Sequence, residues 1–156
     1  MPSTLIFGAC LAIQALVIGV DEFYFHFKRG LPKWERVGHP VDTFSVILVF
    51  AAFNFTHYDG NTPAWLWGLM VFSSALITKD EWIHHEYCEA AETWLHSLLF
   101  LIHPLVFISG WLLWRESGPH FLHRAQGIGL CLFLIYQIVY WNWIAAEGVK
   151  LEKRSQ

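Results

Sequence analysis

Five long apolar runs, at 3–27, 41–58, 63–87, 89–115 and 121–147, take up most of this 156-residue chain. Few other features constrain a fold so strongly, because so many runs of this length leave too little polar residue to coat a water-soluble domain. Hydrophobic residues make up 55% of the chain, against the ~45–50% usual in soluble domains. A hydrocarbon interior offers no partner to a loose backbone, so spans without β alternation must be helices. The expected fold is therefore an all-α integral membrane protein of about five transmembrane helices, a single domain over 1–156.

Positive charge sets the expected orientation. Lys28, Arg29, Lys33, Arg36, Lys79, Lys150, Lys153 and Arg154 fall on one side of the spans, and Arg115 and Arg124 on the other. The N-terminus is expected outside and the C-terminus in the cytoplasm, with a bacterial inner membrane as the setting. Membrane lipid is then the first partner. The chain has no basic patch for nucleic acid, no Gly-rich nucleotide loop and no nucleophile elbow.

Ionisable residues interrupt the apolar runs in a repeated order. Asp21-Glu22 is followed by His26, and Asp80-Glu81 by His84-His85. A second cluster opens each following run, His39-x-x-Asp42-Thr43-Phe44 and then Glu89-x-x-Glu92-Thr93-Trp94. This order reads as an internal repeat of helical hairpins, about 3–58 and 63–115, related by an axis along the membrane normal. The first four spans then form a pseudo-two-fold four-helix bundle, and the run at 121–147 packs outside it.

Residues three or four apart share one face of an α-helix. That face collects Glu22, His26, His39, Asp42, Glu81, His85, Glu89, Glu92 and His96 near the cytoplasmic end, the candidate metal ligands. The stripe and the repeat select His85 over His84. Asp21 and Asp80, each one residue before a ligand Glu, point away and are expected to accept hydrogen bonds from ligand imidazoles. Lys and Arg are sparse nearby, and carboxylates this close would repel and protonate. Two bridged divalent ions remove that strain. Oxygen and nitrogen donors favour iron or manganese, with zinc possible.

This site logic resembles the ferritin-like di-iron and di-manganese carboxylate proteins, whose four-helix bundles supply Glu residues and Glu-x-x-His pairs. The resemblance implies two iron ions and an oxidoreductase that activates dioxygen or peroxide. The clear pairs here are Glu-x-x-x-His, and only Glu81-x-x-His84 keeps the family spacing. Residues 81–85 are also similar to the His-rich boxes of membrane fatty-acid hydroxylases and desaturases, which use many more His. A site at the membrane edge suits a lipid-like or quinone substrate and a separate electron donor, and a homo-oligomer is allowed. The alternatives are a divalent-metal transporter or sensor, which needs a polar path through Gln14, Ser45, Asn54 and His103, and a zinc-stapled structural protein. A bis-His haem site fits less well, because it has no use for so many carboxylates.

The remaining candidates read as structural. Cys10, Cys88 and Cys131 read as small apolar residues, with no CxxC among them. Glu35, Arg36 and Glu86 read as surface. His103 reads as a core His bonded to the carbonyl that Pro104 frees. Tyr136, Tyr140, Trp141, Asn142 and Trp143 read as packing and an inner aromatic belt.

Overall fold

The computed structural model describes residues 2–145, apart from the side chains of Ile83 and His85. Five helices follow one another, and no strand occurs among the described residues. The first is α-helical over Pro2–Val20, passes into a π-helical turn at Asp21–His26 and ends as Phe27–Arg29. The second covers Lys33–Phe55. The third is α-helical over Ala64–Leu76, tightens to 3-10 geometry at Ile77–Asp80 and resumes over Glu81–Tyr87. The fourth covers Ala90–Ser117. The fifth covers Phe121–Val139 and finishes in a π-helical turn, Tyr140–Ile144.

Four of these helices, the first, second, fourth and fifth, are long and apolar enough to cross a membrane. The third is interrupted by its 3-10 turn after 13 α-helical residues. The exterior is apolar, with Leu5, Leu16, Phe55, Val71, Leu101, Ile128 and Leu132 all exposed. In water such a surface would be an aggregation patch, whereas it suits hydrocarbon.

The second helix begins at Lys33, eight residues before the expected start of its span. Gly30 takes the left-handed φ of 77° that ends the first helix, and its amide donates to His26 O at 2.8 Å. Pro32 then caps the second helix in extended conformation. Pro40, inside that helix, has no N–H for the Arg36 carbonyl. The Asn142 side chain donates to that oxygen instead, at 3.5 Å. Gly38 lies inside the same helix. A Cβ there would stand 2.9 Å from Lys79 Cε, so its bare backbone leaves room for the Lys79 side chain.

The helix pairing corrects one expectation. The two most extensive pairs are first with fourth and second with fifth, so the fifth helix is a wall of the bundle and not an outlier. The reason lies in its inner face. Gln137 accepts a hydrogen bond from Thr43 Oγ1 at 2.8 Å, and Gly127 lets Asn54 come close. Away from the acidic end, the core is filled by Phe7, Phe50, Phe53, Phe107 and Trp114, each 0–1% exposed.

Candidate metal centre

The π-helical turn of the first helix determines the geometry of the acidic end. In an α-helix, residues five apart point about 140° away from each other. A π turn, with its i→i+5 bonding, brings residues five apart over one another. Asp21 and Glu22 therefore both reach His26. Asp21 Oδ2 lies 3.2 Å from His26 Nε2, and Glu22 Oε2 lies 3.1 Å from His26 Nδ1. All three side chains are buried.

The fourth helix closes the group from the other side. His96 Nε2 is 3.0 Å from Asp21 Oδ1, and Glu92 Oε1 is 4.0 Å from His26 Nε2. Asp21, His26, Glu92 and His96 each place a ligand-type atom within 4.8 Å of the others, and all four are buried. Ligands about 2.0–2.2 Å from a single ion stand about 3–4 Å from one another. The contacts of Asp21 with His26 and His96 and of Glu92 with His26, at 3.2, 3.0 and 4.0 Å, fall in that range, and the other pairs lie within 4.8 Å. A second group, Glu22, His26 and His39, meets the same distance limit. The His39 ring lies 5.0 Å from that of His26.

Glu22, an expected ligand, belongs to the second of these groups, and Asp21, expected only to support a ligand, belongs to the first. Glu22 is already engaged on both oxygens. Oε2 faces His26, while Oε1 accepts from Tyr136 Oη at 2.9 Å and from the Trp141 indole. Asp21 faces two imidazole nitrogens directly. The arrangement is that of a carboxylate orienting a histidine, with Glu22 behind the ring and Asp21 beside its free nitrogen.

The expectation that Lys and Arg are too sparse to pair the carboxylates is corrected. Arg29 Nη2 donates to Glu35 Oε2 and Arg29 Nε to Glu92 Oε1, both at 2.8 Å. Lys79 Nζ lies 2.5 Å from Asp42 and 2.8 Å from Asp80. Glu35, expected at the surface, is fully buried because Arg29 folds back over the Gly30 turn to meet it. Asp80 also accepts from the Trp34 indole at 2.6 Å, so it does not support a ligand His. Asp42 is taken up by Lys79. Four of the buried or half-buried carboxylates, Glu35, Glu92, Asp42 and Asp80, thus meet two cations, while Asp21 and Glu22 face His26.

Of the other predicted ligands, Glu89 pairs at the surface with Lys28 at 2.7 Å. Glu81, with its side chain 48% exposed, lies 3.5 Å from His84 Nδ1. The His85 side chain lies outside the described residues. His84 enters the bundle, 5% exposed, and follows the 3-10 turn that shifts the helical phase. Its ring lies 4.1 Å from that of His96. Among the described residues neither of its nitrogens has a hydrogen-bond partner. Burial, and then the neighbouring His96 and Arg29, push its pKa down to about 3, so the ring is neutral with a lone pair to offer. Cys88, 1% exposed, completes a third close group with His84 and His96. Burial pushes its thiol well above the ordinary range, which keeps it protonated in the absence of a cation.

The cluster opens onto a cavity of about 150 Å³ that runs towards the bundle centre. There Gln14 Nε2 donates to His103 Nδ1 at 3.0 Å, and His103 Nε2 faces Ser73 Oγ at 3.4 Å. Ser73 in turn bonds Ser45 at 2.7 Å. His103 is therefore held by side chains and not by the carbonyl that Pro104 frees. Tyr136, Trp141, Arg29, Glu35, His84 and Cys88 are the site residues that sequence reasoning passed over. The Glu81-x-x-His84 and His84-x-x-x-Cys88 spacings, each about one helical turn, carried a visible signal.

No protein-family model, curated protein or solved structure matches this chain.

Proposed function

We propose that this chain is a membrane-embedded, metal-dependent oxidoreductase that holds two divalent ions. Iron is the expected metal, and manganese or zinc the alternative. One observation carries the reading: Asp21, His26, Glu92 and His96 converge, all buried, at separations suited to one ion. Two further groups of ligand-type side chains, Glu22–His26–His39 and His84–Cys88–His96, lie beside it and leave room for a second ion. Carboxylate and imidazole donors favour iron or manganese. When bound, such an ion supplies redox and dioxygen chemistry. The protein's own residues hold it, orient His26 through Glu22 and exclude water.

The substrate in this proposal is lipophilic, lipid-like or a quinone. A cavity of about 150 Å³ is enough for a six-membered ring. Its wall joins the metal cluster to apolar residues such as Ile18, Val46, Leu99 and Phe133. In this proposal the acidic end lies at the cytoplasmic face of a bacterial inner membrane, within reach of a soluble electron donor, as the excess of Lys and Arg on that side supports. Transport of the metal is disfavoured by Phe7, Phe50, Phe53 and Phe107, which fill the bundle beyond His103.

The test is elemental analysis of detergent-purified protein, followed by oxygen uptake after ferrous loading. Two iron or manganese per chain, with the first equivalent lost in Asp21→Ala and in His26→Ala, is the expected result. Folded protein with no stoichiometric metal refutes the reading.

A further inference from the structure

Resting on that two-ion reading, we infer that the second ion sits at His84, Cys88 and His96, a site with a thiolate ligand. The sequence pattern alone gave this position to carboxylates and treated Cys88 as filler. The geometry supports a different donor set. His84 and Cys88 are four residues apart at the end of the third helix, and His96 lies two turns into the fourth. All three are buried, at 5%, 1% and 4% exposure, and their ligand atoms lie within 4.8 Å of one another.

A self-contained core would satisfy these rings. Buried imidazole nitrogens nearly always have a partner, and leaving one without is costly. Here both nitrogens of His84 and the Nδ1 of His96 have none among the described residues. The nearest carboxylate oxygens to His84, from Glu81 and Glu35, lie 3.5 and 3.7 Å away. Glu35 is already held by Arg29. An ion among the three side chains would use the idle lone pairs at once.

His96 connects the two positions. Its Nε2 faces Asp21 in the first group, and its Nδ1 is the unpartnered atom. Serving both ions, it becomes an imidazolate bridge. Filling the second position then releases two protons, one from the Cys88 thiol and one from the His96 ring. Two nitrogens and one sulfur suit a borderline-soft ion of the zinc type better than magnesium or calcium.

The test uses cobalt(II), a spectroscopic stand-in for zinc or ferrous iron, added to full-length, metal-stripped protein in detergent. Helical circular dichroism checks that each variant is folded. The expected result is two equivalents of cobalt and a near-ultraviolet thiolate-to-cobalt absorption. Cys88→Ala and Cys88→Ser should each remove the absorption and one equivalent, leaving the other. Asp21→Ala should keep the absorption, and the Cys10→Ala, Cys131→Ala pair should change nothing. Cobalt bound at one His26-dependent equivalent without thiolate absorption overturns this inference and leaves the first site standing. An absorption indifferent to Cys88 overturns it as well. Folded protein that binds no cobalt refutes both readings.

Discussion

The different placement of Glu22 and Asp21 has a measurable consequence. Glu22→Gln keeps the size of the side chain but removes its charge. The amide oxygen can still accept from Tyr136 and Trp141, as Glu22 Oε1 does now. The amide NH2 then replaces Oε2, 3.1 Å from His26 Nδ1, and sets donor against donor. His26 must turn or move its proton to Nε2, the nitrogen that faces Asp21 and would face the proposed ion. Losing such a supporting bond costs about 10–100-fold in metal affinity. That is about 1.4–2.7 kcal/mol, in line with the ~1.5–3 kcal/mol of one hydrogen bond to a charged group. Stoichiometry should hold while affinity falls. Asp21→Ala removes a direct ligand, and the first equivalent should disappear. Competition titration against a chromophoric chelator measures both. If Glu22→Gln abolishes binding and Asp21→Ala weakens it only modestly, Glu22 is the ligand and the reasoning from the π turn is wrong.

Three further outcomes follow from the same geometry. Arg29→Met strands Glu35 and Glu92, both nearly inaccessible, and should destabilise the protein by about 3–5 kcal/mol; denaturant titration in detergent followed by circular dichroism measures it, and a loss under about 1 kcal/mol would show that Arg29 does not hold the cluster. His103→Ala should leave metal stoichiometry unchanged and produce no metal flux in proteoliposomes, since Phe7, Phe50, Phe53 and Phe107 close the bundle beyond it; robust wild-type flux lost in this variant would favour a transporter. Phe50→Ala, at a fully buried position, should cost about 3–5 kcal/mol, read as a lower midpoint in the same denaturant assay, with metal binding unaltered in the folded fraction.

The sequence by itself determined the class of this protein. Apolar runs need no tertiary information to be read as helices, and helix starts near residues 2, 64, 90 and 121 follow from where those runs begin. The concentration of carboxylates and imidazoles at one end was equally legible, because it depends only on which residues flank the spans. Helical phase was not legible. The sequence reading assumed 3.6 residues per turn throughout, and two short departures changed which side chains face inward. The π turn at Asp21–His26 brought Asp21 onto the His26 face, and the 3-10 turn at Ile77–Asp80 brought in His84. Charge pairing was also hidden, since Arg29 and Lys79 look like surface cations until helices distant in sequence bury them against Glu35, Glu92, Asp42 and Asp80. The same holds for Tyr136 and Trp141, more than 110 residues from the Glu22 they bind. Periodicity along one helix says which residues share a face, but only packing between helices decides what that face meets.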